Sequence, residues 1–191
     1  MSSRLIWALI VILVGGPVLL ALANPLLAYR DWIYIGAGFA GIFGLGLLLV
    51  QPLLAARLLP NLTPFVTRQA HRAVGAILLI LVGVHVGGLW ITSPPDVIDA
   101  LLLRSPTPFA IWGVIALWAL VGAAVLAILR RKLAWRLRLW RLCHFGLGAA
   151  CILGTVAHAL WIEGAMEPIS KAILCAAVVL AGLWAARKAL I

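Results

Sequence analysis

The sequence predicts an all-α fold: a polytopic membrane bundle of six helices with both termini in the cytoplasm. Three observations carry this. Of 191 residues, 65% are hydrophobic and 10% charged, whereas soluble domains are about half apolar and about a quarter charged. The apolar residues form runs long enough to cross a ~30 Å hydrocarbon layer. The basic residues fall between those runs and gather on one side. That pattern also absorbs the net charge of +10, which is read as membrane orientation and not as nucleic-acid binding. The length fits one domain, 1–191.

The first span, 5–23, contains Gly15, Gly16 and Pro17, which predict a kink. It ends Ala21-Leu22-Ala23, which resembles a signal-peptidase site, but the apolar run exceeds a usual signal core and is taken as a retained span. The second span, 32–50, is rich in small residues; Gly36, Ala40 and Gly44 share a face that a neighbouring helix can approach closely. The stretch QPLLAARLLPNLTPFVTRQ is broken by three prolines and reads as a surface connector. The third span is 71–91. Asp96 is placed to cap a short interfacial helix ending near Arg104. The fourth, fifth and sixth spans are 109–129, 142–162 and 169–186, and the basic loop RRKLAWRLRLWR precedes the fifth. Trp7, Trp32, Trp90, Trp135, Trp140 and Trp161 fall near span ends, as interfacial anchors do. Cys143, Cys151 and Cys175 all lie within spans with no CxxC, and read as small core residues rather than disulfide or zinc ligands.

Charge sets the orientation. With the N-terminus inside, 12 Lys and Arg lie on the cytoplasmic side, against Arg30, Arg104 and Lys171 outside. All five acids (Asp31, Asp96, Asp99, Glu163 and Glu167) also fall outside.

Four histidines stand out against this apolar background. His71 and His85 lie 14 residues apart in the third span, and His144 and His158 lie 14 apart in the fifth. Fourteen steps of ~100° return to within ~40° of the same helix face and advance ~21 Å along the axis. Ionisable groups within a membrane are functional candidates from the start. The third and fifth spans run in the same direction, so His71 and His144 share an inner depth and His85 and His158 an outer one. Two facing helices can then present two imidazole pairs, one above the other. That suits two haems, each held between neutral imidazoles from opposite helices. With both axial positions filled, such sites suit electron transfer rather than O₂ chemistry. No CxxCH occurs, so the haems are expected to be b-type and not covalently attached. Gly75, Gly148, Gly83, Gly87, Gly88 and Gly154 flank the ligands and could leave room for a flat macrocycle. Arg68, Arg72 and Arg141 are candidates to meet the propionates of the inner haem. Near the outer level stand only Trp90, Thr92 and Trp161.

The segments HRAVGAILLILVGVH, TPFAIWGVIALWALVGAAVLAILRRKL and WRLCHFGLGAACILGTVAHALW together resemble the ferric reductase-like transmembrane domain. That family includes NADPH oxidases, ferric reductases and the membrane subunit of the periplasmic methionine-sulfoxide reductase system. The resemblance covers about residues 30–190. It implies six helices, b-type haems bound by the third and fifth, and electron flow outward from a cytoplasmic or membrane-borne donor. It pairs His71 with His144 and His85 with His158. The larger members carry a flavin and nicotinamide domain after the last span. Here five residues follow it, which predicts the haem-bearing component of an oxidoreductase. Its donor would be a separate cytoplasmic flavoprotein, a bound flavin, or quinol, and its acceptor lies on the outer side. The membrane would be a bacterial inner membrane. The methionine-sulfoxide reductase subunit usually lacks a histidine matching His71, so that specific role is not assigned.

Two other readings compete. The histidines could form a proton or ion relay in a transporter, although no Asp or Glu lies within a span. Alternatively, the chain could be a one-haem, quinone-coupled cytochrome b.

Overall fold

The computed structural model describes residues 2–132 and 136–190; Trp135 of the expected aromatic belt lies outside them. Seven α-helices appear among the described residues, with no strand: α1 Ser3–Leu22, α2 Trp32–Ala55, α3 Pro64–Thr92, α4 Pro94–Leu101, α5 Pro108–Ile128, α6 Leu137–Trp161 and α7 Pro168–Leu190. All but α4 are long and apolar enough to cross a membrane, with mean hydropathy from 1.5 to 2.7 in their best stretches. A spanning helix satisfies its own backbone where water is absent, which is why long apolar runs settle this way.

The helix starts follow ordinary capping chemistry. The Asp31 carboxylate accepts from the Ile33 N–H at 2.7 Å, and Thr63 Oγ1 accepts from the Val66 N–H at 3.3 Å. Helices α3, α4, α5 and α7 each open on proline, whose missing N–H costs nothing in a first turn. Glu167 caps α7 with both carboxylate oxygens, accepting from the N–H groups of Ile169 at 2.9 Å and Ser170 at 2.6 Å. Those bonds hold its carboxyl pKa below the ordinary value.

Several boundaries depart from the sequence reading. Helix α2 runs on through Pro52 to Ala55, and α3 begins at Pro64 rather than His71. Most of the expected surface connector is therefore helical, and only residues 56–63 join the two. The chain leaves α2 through Arg57, at φ 54°, and turns again at Asn61, at φ 63°. The first is a left-handed helix exit usually made by glycine, and the second a conformation that asparagine tolerates. Asp96 is not a cap: Ser93 occupies that position, and Asp96 sits in the first turn of α4. Helix α1 continues without a break through Gly15, Gly16 and Pro17.

Helices α2 and α3 pack along one another as one antiparallel pair, and α5 and α6 as a second. Helix α7 touches both α2 and α6 and joins the pairs; α1 packs on α2 and α7. The core sits where they meet. Leu174, Cys175 and Val178 of α7 are fully buried, against Leu45, Leu48 and Leu49 of α2 and Cys151 of α6. Close approach depends on glycine at a few points. A Cβ on Gly46 would lie 2.7 Å from Val14 of α1, one on Gly88 would lie 2.8 Å from the Ala37 Cβ, and one on Gly154 would lie 2.8 Å from the Trp112 carbonyl. Gly36 and Gly44, expected to serve this purpose, have nothing within 4 Å of a Cβ position. Outward faces carry exposed Val11, Ile12, Leu19, Ile80, Leu153 and Leu180, as a lipid-facing surface does.

At the end of the bundle opposite the basic loop, two polar contacts tie the connections together. Asn24 Nδ2 donates to the Ala165 carbonyl at 2.9 Å. Lys171 Nζ, 9% exposed, donates to the Ile162 carbonyl just past the end of α6 at 2.8 Å.

Candidate functional site

The four histidines lie on the two helices expected to carry them, and they meet in two pairs. His71 faces His144 with ring centroids 6.4 Å apart, and His85 faces His158 with centroids 6.3 Å apart. Both rings of each pair belong to α3 and α6, so these helices run parallel. Beyond the histidines, α3 and α6 approach each other little. The imidazoles thus line a gap between the two helix pairs.

The spacing has a chemical meaning. An imidazole nitrogen bonds a transition metal at ~2.0 Å, and its ring centre lies ~1.1 Å behind it. Two imidazoles on opposite sides of one metal atom therefore have ring centres ~6.2 Å apart. Both pairs match this value. Direct hydrogen bonding or stacking between rings would draw the centres closer. The ring planes cross at 68° in the first pair and 83° in the second.

The His85–His158 pair is fixed by the backbone of the neighbouring helices. His85 Nδ1 lies 2.8 Å from the Ala37 carbonyl of α2, and His158 Nδ1 lies 3.0 Å from the Phe109 carbonyl of α5. A carbonyl only accepts, so each Nδ1 carries the proton and each Nε2 keeps its lone pair, the state a metal ligand needs. Glycine makes room for both rings. A Cβ on Gly41 would lie 3.0 Å from His85 Nδ1, and one on Gly113 would lie 2.8 Å from His158 Nδ1. Each glycine stands one turn past the carbonyl acceptor on its own helix. Neither was singled out from the sequence, because the only signal was a glycine in an apolar span, and the partner lies on another helix.

The His71–His144 pair is held differently, by side chains. One end of the Gln51 side-chain amide lies 2.7 Å from His71 Nδ1 and the other 2.9 Å from the Gly75 nitrogen, and the Gln51 backbone carbonyl of α2 is close to the same ring. His144 Nδ1 is buried with no hydrogen-bond partner; the Ala123 carbonyl of α5 is nearby, outside bonding geometry. Instead the His144 ring stacks on Trp140, with centroids 5.1 Å apart and planes within 9°. The four neighbours repeat the histidine spacing: Ala37 and Gln51 on α2, and Phe109 and Ala123 on α5, are each 14 residues apart.

The remaining candidates divide. Arg68, Arg72 and Arg141 are all exposed at the His71–His144 end. Arg68 and Arg141 each stand three residues before a histidine, hence on its face of the helix, whereas Arg72 is turned ~100° away. Of the flanking glycines, Gly83, Gly87 and Gly148 have nothing within 4 Å of a Cβ position. Gly75 faces Gln51, and Gly88 and Gly154 serve contacts within the helix pairs.

No curated protein and no solved structure matches the chain. The family described as ferric reductase like transmembrane component matches residues 40–155, more than half of the sequence. The matched region holds His71, His85 and His144, with His158 three residues beyond its end. The chain thus belongs to the ferric reductase-like transmembrane family.

Proposed function

We propose that this chain conducts electrons across a membrane through two b-type haems, one held by His71 and His144 and the other by His85 and His158. The observation that carries the reading is the pair of centroid distances, 6.4 and 6.3 Å, which suit an iron between each pair. Membership of a family whose membrane domains generally bind haem supports the cofactor. Each haem would supply a one-electron carrier with no open iron position. The protein's own part is to hold four neutral imidazoles, to keep water from the gap with apolar helices, and to align the pairs along the spans. The positive-inside rule puts the basic loop and both termini in the cytoplasm, with the His71–His144 pair as the inner site. Arg68 and Arg141, on the histidine faces of their helices, then stand where inner propionates would lie.

The donor in this reading is a separate cytoplasmic flavoprotein or quinol, and the acceptor lies outside. The basic residues Arg130, Lys132, Arg136, Arg138 and Arg141 suit an acidic flavoprotein surface. The host would be a bacterial inner membrane. One observation favours a second reading, a single-haem subunit: the Gln51 side-chain amide lies 2.7 Å from His71 Nδ1, a contact that would hold His71 as a structural residue.

The test is a dithionite-reduced minus oxidised spectrum of the detergent-purified protein, with haem counted per chain. Two low-spin b-type haems are expected. One haem would select the single-haem reading and make His71 structural. No haem, after expression with haem precursor supplied, would overturn electron transfer in favour of a histidine relay.

A further inference from the structure

We infer that Trp140 is a positioning residue for His144: its indole fixes the plane of that imidazole, the task that backbone carbonyls perform for His85 and His158. The inference rests on His71 and His144 being ligands of one haem iron.

Three features of the indole carry it. It lies within 9° of the plane of His144 at 5.1 Å between centroids. Its Nε1–H donates to the Leu126 carbonyl of α5 at 3.1 Å, which pins it to the neighbouring helix. The Arg130 guanidinium carbon sits 4.6 Å from its ring centre, a cation–π contact at the membrane edge. The ring that it stacks on needs such support. His144 Nδ1 is buried without a hydrogen bond, so rotation about its side-chain torsions is not opposed there as it is at His85 and His158. A tryptophan at a membrane boundary is ordinarily an anchor. Anchoring accounts for the Nε1–H bond and the cation but does not require coplanarity with a histidine one turn along.

A ligand plane matters because the angle between two axial imidazoles governs how the iron d orbitals split. The low-spin EPR g-maximum reads that angle, which is 68° between His71 and His144. If Trp140 holds one of these planes, removing it changes the signal of one haem and spares the other.

The experiment compares EPR spectra and haem content of the purified haem-loaded protein with those of Trp140→Leu and Trp140→Phe. Trp140→Leu should shift the g-maximum of the inner haem, or lower haem from two to one per chain, with the outer signal unchanged. Trp140→Phe keeps an aromatic face but not the bond to Leu126, and should give a smaller shift of the same haem. If Trp140→Leu does not accumulate, Trp140→Phe decides alone. An unshifted inner signal, or equal movement of both signals, overturns the inference. His144→Ala separates this from failure of the underlying reading: if that variant retains both haem signals, the ligand assignment is what falls.

Discussion

At the residue scale the two histidine pairs differ in what holds them, and the difference is open to substitution. The His85–His158 rings occupy the space that a methyl group would need on Gly41 or Gly113. Gly113→Ala puts a carbon 2.8 Å from His158 Nδ1, so either the ring turns or the helices part. The expected outcome is loss of the outer haem, or a shift of its g-maximum, with the inner haem retained. Haem per chain and the EPR spectrum check it, and His158→Ala should remove the same haem outright. The histidines themselves were legible in the sequence because helix periodicity alone puts residues 14 apart on one face. Gly41, Gly113 and Gln51 were not. Their roles depend on the register between α2 and α3 and between α5 and α6, which no spacing within one helix reveals. The arginine candidates stood between: Arg68 and Arg141 share a face with their histidines, and Arg72 does not.

At the scale of the element, the six spanning helices could be read from apolar run length, but several of their ends could not. Proline was taken as a break at residues 52 and 64. Pro52 lies within α2, three residues from its end, where only one backbone bond is forfeited. Pro64 instead opens α3, where it has no bond to lose. Two end contacts yield predictions. Glu167 accepts two backbone N–H groups at the start of α7, and its folded-state pKa is lowered by them. A carboxylate with a depressed folded pKa favours the fold above the ordinary carboxylate value of ~4 and loses that contribution as pH falls through the lowered value. The thermal midpoint in detergent should therefore fall with acidification in this window, and Glu167→Gln should flatten that part of the profile. Lys171 donates a charged hydrogen bond to the Ile162 carbonyl from a nearly buried position. Lys171→Met should leave that carbonyl unpaired and cost about 1–3 kcal/mol, read as a lower unfolding midpoint with haem content unchanged.

For the whole molecule, the bundle consists of two antiparallel helix pairs joined by α7, with α1 against α2 and α7. Composition could predict six spans and charge could predict their sense. Nothing in the sequence marks α7 as the joint, because its mean hydropathy of 2.0 lies within the range of the others. The predicted topology is tested by fusing a reporter that fluoresces only in the cytoplasm to the C-terminus. Fluorescence is expected, and a periplasmic-only reporter active at the same point would reverse the assignment of inner and outer haems.

The gap between α3 and α6 bears on how the chain matures. A ligand that binds only the native arrangement stabilises it by mass action, and here the ligand would fill the seam between two half-bundles that otherwise meet mainly through α7. Haem insertion would then be a late assembly step, and haem supply a limit on how many copies survive quality control. In haem-starved cells the chain should be synthesised at its normal rate yet degraded several-fold faster, as pulse-chase labelling would show. Equal lifetimes with and without haem would mean that α7 closes the bundle unaided.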